Sequence, residues 1–121
     1  MSPEEAEFVD RLGLFMEMLG GPSTMGRVYG WLLICDPPQQ SLTELARTLS
    51  ISKASVSTVA RQLQEGGMIE RLPSSTRQHL YRATPGGFAS VLDTQLSRMR
   101  LGIDAANFGL YIREDVLRLF D

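Results

Sequence analysis

Apolar residues recur along the first part of the chain at helical spacing. Phe8, Val9, Leu12, Phe15, Met16 and Leu19 fall on one stripe. Ser2 offers an N-cap, Pro3 suits the first helical position, and Glu4 and Glu5 sit at the positive end of the helix dipole. Gly20-Gly21-Pro22 then ends the helix. A second helix is predicted after Ser23, running through "MGRVYGWLLIC" to a stop at Asp36-Pro37-Pro38. Gly26 and Gly30 lie one turn apart within it. Glycine weakens a helix, so this pair predicts a neighbouring helix at close range.

The next stretch, "SLTELARTLSISKASVSTVARQLQEGGMIERL", carries two shorter amphipathic patterns. Ser41-x-x-Glu44 is a capping box, and Leu42, Leu45, Ala46 and Leu49 form one stripe. After a tight turn at Ser50-Ile51, Ser52 caps a helix whose stripe is Val56, Val59, Ala60 and Leu63. Two such helices predict a helix-turn-helix, although ordinary helical packing produces similar pairs. Gly66-Gly67 closes the second helix. "MIERL" then reads as a strand, "PSSTRQ" as a turn and "HLYRA" as a returning strand. That order is the order of a winged helix. Thr84-Pro85 opens a further helix with Phe88, Val91, Leu92, Leu96 and Met99 on one side. A final segment adds Leu110, Tyr111, Val116, Leu117 and Phe120.

The predicted fold class is mainly α, a winged helix-turn-helix with a small β-hairpin wing and terminal dimerisation helices. Residues 1–22 form the N-terminal helix, 23–83 the winged core and 84–121 the C-terminal helices. The terminal segments hold more apolar residues than a small winged helix can cover. Dimerisation accounts for the excess better than an intrachain core does.

The helix from Ser52 to about Glu65 carries the candidate chemistry. At 100° per residue, the side opposite Val56, Val59 and Leu63 holds Ala54, Ser57, Thr58 and Arg61, flanked by Ser55 and Gln62. A merely solvated face would be better served by Glu and Lys. Small side chains instead let a helix backbone approach base edges in a major groove. There Ser and Thr contact bases or phosphates, Ala and the Thr methyl touch thymine methyls, and Arg bonds guanine. Lys53, beside the helix start, is placed for a phosphate. At the wing tip, Arg77 among small polar residues suits a minor groove or a phosphate.

Charge distribution supports this more than total charge does. The chain has 121 residues, is 43% hydrophobic and carries a net charge of −2, which fits one globular domain. Residues 1–51 hold three Arg against seven acids, whereas residues 52–82 hold Lys53, Arg61, Arg71, Arg77 and Arg82 against Glu65 and Glu70. A polyanion would meet that local excess. No apolar run is long enough to cross a bilayer, and "MSPEEAEF" is acidic where a secretory signal is basic and then apolar. A cytoplasmic location follows as an expectation.

Cys35 is the single cysteine, so no intrachain disulfide framework or cysteine zinc site is expected. Following "WLLI", it reads as a core thiol, with redox sensing the alternative. His79, the single histidine, has no Cys, His or carboxylate set near it in sequence and reads as structural or solvated. No nucleophile–base set, phosphate-cradling glycine loop or metal constellation appears. The chain is therefore read as a non-enzyme without a cofactor.

Residues 20–72, "GGPSTMGRVYGWLLICDPPQQSLTELARTLSISKASVSTVARQLQEGGMIERL", carry a broader likeness. They resemble the MarR superfamily of winged-helix transcriptional regulators, especially its GbsR-like branch, which has similar "GR-x-x-G-x-LL" and "SK-x-S-VS" segments. The likeness extends over about residues 8 to 88. It implies that Ser52, Lys53, Ala54, Ser55, Ser57, Thr58 and Arg61 lie on a recognition helix and Arg77 on the wing. It also implies a homodimer on a palindromic operator in double-stranded DNA, joined by its terminal helices. Many such wings carry an Asp shortly before the tip Arg, where Ser74-Ser75-Thr76 stand here. The chain is also short for the group, so a longer C-terminal helical region is expected to be trimmed. Regulators of this kind usually sense a small-molecule effector between the DNA-binding part and the dimer helices. Phe15, Tyr29, Trp31, Phe108 and Tyr111 are candidate linings, with core packing the favoured role for each. The competing function is a winged-helix module for protein contacts alone, which predicts an apolar or acidic recognition face.

Overall fold

The computed structural model describes residues 1–119, which divide into two compact units, one spanning Met1–Gly87 and the other beginning at Phe88. Phe120, counted above among the apolar terminal residues, lies outside the described residues, and so does the side chain of Leu117.

In the first unit, α1 (Pro3–Met18) begins on a complete capping box. The Glu5 N–H donates to Ser2 Oγ at 3.1 Å and the Ser2 N–H to Glu5 Oε1 at 2.8 Å. The Ser2 backbone N–H, and after it the Ser2 hydroxyl, holds the Glu5 carboxyl below the usual carboxylate range. Val9, Leu12 and Met16 are buried, so much of the α1 stripe is used within this unit, while Leu14 and Met18 remain exposed. Helix α2 (Ser23–Ile34) packs closely along α1. The predicted close approach is real: a Cβ on Gly30 would lie 3.1 Å from Leu12 Cβ, and Gly26 is tighter still.

Helices α3 (Leu42–Leu49) and α4 (Lys53–Glu65) form the helix-turn-helix. Ser41 and Glu44 complete the predicted box, each backbone N–H bonding the other's side chain at 3.1 Å. The turn depends on Ser50, which adopts a left-handed conformation at φ 54°. The Ile51 N–H then returns to the Ala46 carbonyl at 3.0 Å. Arg27 of α2 also donates to the Leu49 carbonyl at 3.3 Å, satisfying one of the groups orphaned at the end of α3. Val56, Val59, Ala60 and Leu63 of α4 are buried with Leu45, Ala46 and Leu49 of α3, as their spacing predicts. Tyr29 and Val28 of α2 lie fully buried in the same core.

The wing is an antiparallel hairpin of β2 (Ile69–Leu72) and β3 (Leu80–Ala83), with Arg71 opposite Tyr81 and Glu70 opposite Arg82. A two-residue strand, β1 (Gln40–Ser41), pairs with the other edge of β3, giving the order β1-β3-β2. The sequence pattern showed no sign of β1, because two residues carry no periodicity.

The second unit also differs from expectation. The helix predicted to open at Thr84-Pro85 begins at Gly87, because the Thr84 N–H is still bonded to the Met68 carbonyl and Gly86 turns at φ +79°. It then runs unbroken as α5 (Gly87–Ile112), joining what read as two segments. Val116–Leu119 add a short 3-10 turn, and Val116 packs close to Gly109. No described residue of α5 is buried. Leu96, Met99, Leu101, Ile103, Phe108, Tyr111 and Ile112 are all exposed.

Candidate nucleic-acid interface

Helix α4 presents its small-residue side to solvent because its apolar stripe is fully used in the core. Lys53, Ala54, Ser55, Thr58, Arg61 and Gln62 are exposed, as is the capping residue Ser52. Ser57 is half-buried and stands at the edge of the face, so Ala54, Thr58 and Arg61 form its centre.

The hydroxyls on this face are already partly committed. Ser52 Oγ accepts from the Ser55 N–H at 3.1 Å and donates to Ser55 Oγ at 3.0 Å. Ser55 therefore keeps its own proton for an outside acceptor. Thr58 donates to the Ala54 carbonyl at 3.1 Å, which leaves its methyl and its lone pairs to face outward. A cleft of about 320 Å³ borders the same face, lined by Pro22 and Thr24 together with Ala54, Ser55, Thr58 and Val59. Sequence reasoning did not place Pro22 or Thr24 here, and no local signal would have, since the α2 start meets α4 only in the folded chain.

The wing tip places Arg77 in solvent. Ser74-Ser75-Thr76 precede it, and the Ser74 and Thr76 hydroxyls order the backbone. Thr76 Oγ1 lies 2.9 Å from Ser74 Oγ, accepts from the Gln78 N–H at 3.3 Å and donates to the Gln78 carbonyl at 3.4 Å. The Thr76 side chain thus bonds the main chain on the far side of Arg77.

Five cations lie between residues 52 and 82, and four are available. Arg82 pairs with Glu70 across the strands. Among the described residues Lys53, Arg61, Arg71 and Arg77 make no ion pair.

The remaining candidates sort clearly. Cys35 is buried, its thiol 3.5 Å from the Pro38 carbonyl, and burial pushes it above the usual thiol range. His79 is exposed, and no group of His, Cys, Asp and Glu suited to a metal occurs among the described residues. Tyr29 and Trp31 are core residues and Phe15 is half-buried. Phe108 and Tyr111 are exposed and stack on each other at 6.4 Å.

Four matches to known proteins bear on this geometry. The model of the MarR family matches residues 32–76. The HTH-type transcriptional regulator MmpR5 of Mycobacterium tuberculosis is 38% identical over 109 residues, which are 89% of this chain and 66% of that protein. The chain thus spans just under two thirds of that relative's length. A crystal structure of a transcriptional regulator, also 38% identical, superposes with a TM-score of 0.70 over 93% of this chain and 78% of its own. A mutant MarR from E. coli, solved in complex with operator DNA, shares the fold at 24% identity. It covers 71% of this chain and 62% of its own with a TM-score of 0.53.

Proposed function

We propose that the chain is a MarR-type winged-helix regulator that binds DNA in a sequence-specific way. In this reading α4 enters the major groove, with Arg61 on base edges, Ser55 on a base or phosphate acceptor and Lys53 on the backbone. Arg77 of the wing reaches the flanking minor groove. Two copies pair through α1 and the C-terminal helices and bind an inverted repeat in the cytoplasm. The paired glycines and Arg27 of "GRVYGWLL" favour the GbsR-like branch. The reading assigns no catalytic step, no cofactor and no particular effector.

The observation that carries this is the outward face of α4: small side chains, one Arg and one Lys, both cations free of ion pairs among the described residues. A module for protein contacts would present apolar or acidic side chains there. The operator complex of the E. coli relative adds support from a protein of the same fold. Selection of bound sequences from random duplex DNA is the direct test. Enrichment of one inverted-repeat motif is expected, and the absence of any enrichment over a protein-free control refutes the reading.

A further inference from the structure

The wing carries a second basic feature besides its tip. A cleft of about 340 Å³ is lined by Arg71, Leu72, Pro73, Ser74, Thr76 and His79, and Arg77 is not part of it. Arg71 lies on β2 and His79 immediately before β3, so the hairpin brings both to this cleft. Arg71 is paired with Tyr81, so both project from the same face, and His79 stands just outside β3, immediately before Leu80. Glu70 and Arg82, paired on the opposite face, neutralise each other there. Glu70, the carboxylate nearest in sequence, is not among the residues that line the cleft. Among the described residues neither Arg71 nor His79 makes an ion pair, and both are exposed.

We infer that this cleft is a phosphodiester subsite, in which Arg71 and His79 hold one phosphate of the DNA backbone beside the groove that Arg77 enters. The inference rests on the DNA-binding reading above and adds a place and residues to it. The chemistry fits a phosphate: a guanidinium fork supplies charge and paired donors, an imidazole N–H adds a third, and the Ser74 and Thr76 hydroxyls border the site. Its role is to fix the wing on the backbone, so that Arg77 meets the minor groove in one register. A contact of this kind carries no base preference of its own.

Because His79 is the single histidine of the chain, its imidazole proton resonances report on the cleft alone. The full chain is titrated with a random-sequence duplex while those resonances and the affinity are followed over a range of salt. The resonances are expected to shift on adding duplex and to stay in place on adding inorganic phosphate. Arg71→Gln should abolish the shift and flatten the slope of log affinity against log salt by about 0.9, the value for one phosphate contact. His79→Gln should weaken binding by roughly two- to tenfold, and Arg82→Gln, on the paired face, should leave the slope unchanged. If wild type binds duplex while Arg71→Gln keeps the wild-type slope, the subsite is refuted and the regulator reading stands. The subsite also falls if Arg82→Gln costs as much as Arg71→Gln, or if inorganic phosphate alone saturates the His79 shift, which would mark a free-anion site. A wild-type chain that binds no duplex overturns both readings together.

Discussion

Gly26 lies directly against the main chain of Leu12: a Cβ built on it would stand 2.1 Å from the Leu12 carbonyl oxygen and 2.6 Å from its carbon. Backbone atoms cannot swing aside as a side-chain tip can. The contact therefore sets how near α1 and α2 come, and α2 in turn packs against α4.

Gly26→Ala should destabilise the chain by at least ~1–3 kcal/mol, the usual cost of overpacking. Gly102→Ala in α5 is the contrast, since nothing lies within 4 Å of the added carbon. It should stabilise by ~0.5–1 kcal/mol through helix propensity alone. Urea denaturation of both variants checks this, and equal midpoints would refute the packing argument.

Base reading and backbone contact on α4 should separate by mutation. Arg61→Ala is expected to relax base preference and to cost ~1–3 kcal/mol on the selected sequence. Lys53→Ala should weaken selected and random duplexes about equally and flatten the salt slope by roughly one. Fluorescence anisotropy on both duplexes measures the two effects. Wild-type behaviour in both variants would show that another surface binds.

Pairing should double the particle mass. Seven large apolar side chains stand exposed between Leu96 and Ile112 on α5, and Leu14 and Met18 stand exposed on α1. Sedimentation equilibrium at micromolar protein should give twice the 13.4 kDa chain mass, and a monomer there would defeat the dimer reading.

A two-fold dimer offers two copies of α4, which enter one face of DNA only when their centres lie about 34–36 Å apart, near 10 base pairs. Inserting half a helical turn of base pairs between the half-sites should abolish tight binding. Undiminished affinity after the insertion would refute paired entry of the helices.

Cys35 should react slowly with iodoacetamide in the folded chain and rapidly in urea, because burial raises its thiol above the ordinary range and keeps it protonated near neutral pH. The sign for stability follows. The folded state holds its proton to higher pH than the unfolded one, so this contribution is complete below the ordinary thiol range. It is lost as pH rises through that range and on to the raised value. Stability measured across that window should fall more in wild type than in Cys35→Ala.

Much of this protein is legible along the chain because much of it is local. The boxes at Ser2–Glu5 and Ser41–Glu44 join residues three apart, and the stripe from Val56 to Leu63 follows from helical period alone. With that stripe committed to the core, Ala54, Thr58 and Arg61 could face only outward. What tertiary structure decided was every relationship between residues distant in sequence. Strand β1 exists because Leu80 and Tyr81 offer Gln40 and Ser41 a free edge. The end of α3 is bonded by Arg27, 22 residues away. Arg82 is neutralised by Glu70, and Arg71 shares a cleft with His79, only through the pairing of β2 with β3, and a shift of one residue would exchange the faces of the paired residues. Periodicity and caps act over a turn or two of chain, so they determine which residues turn inward. Which outward residues become neighbours depends on how the elements pack, and no short window of sequence contains that.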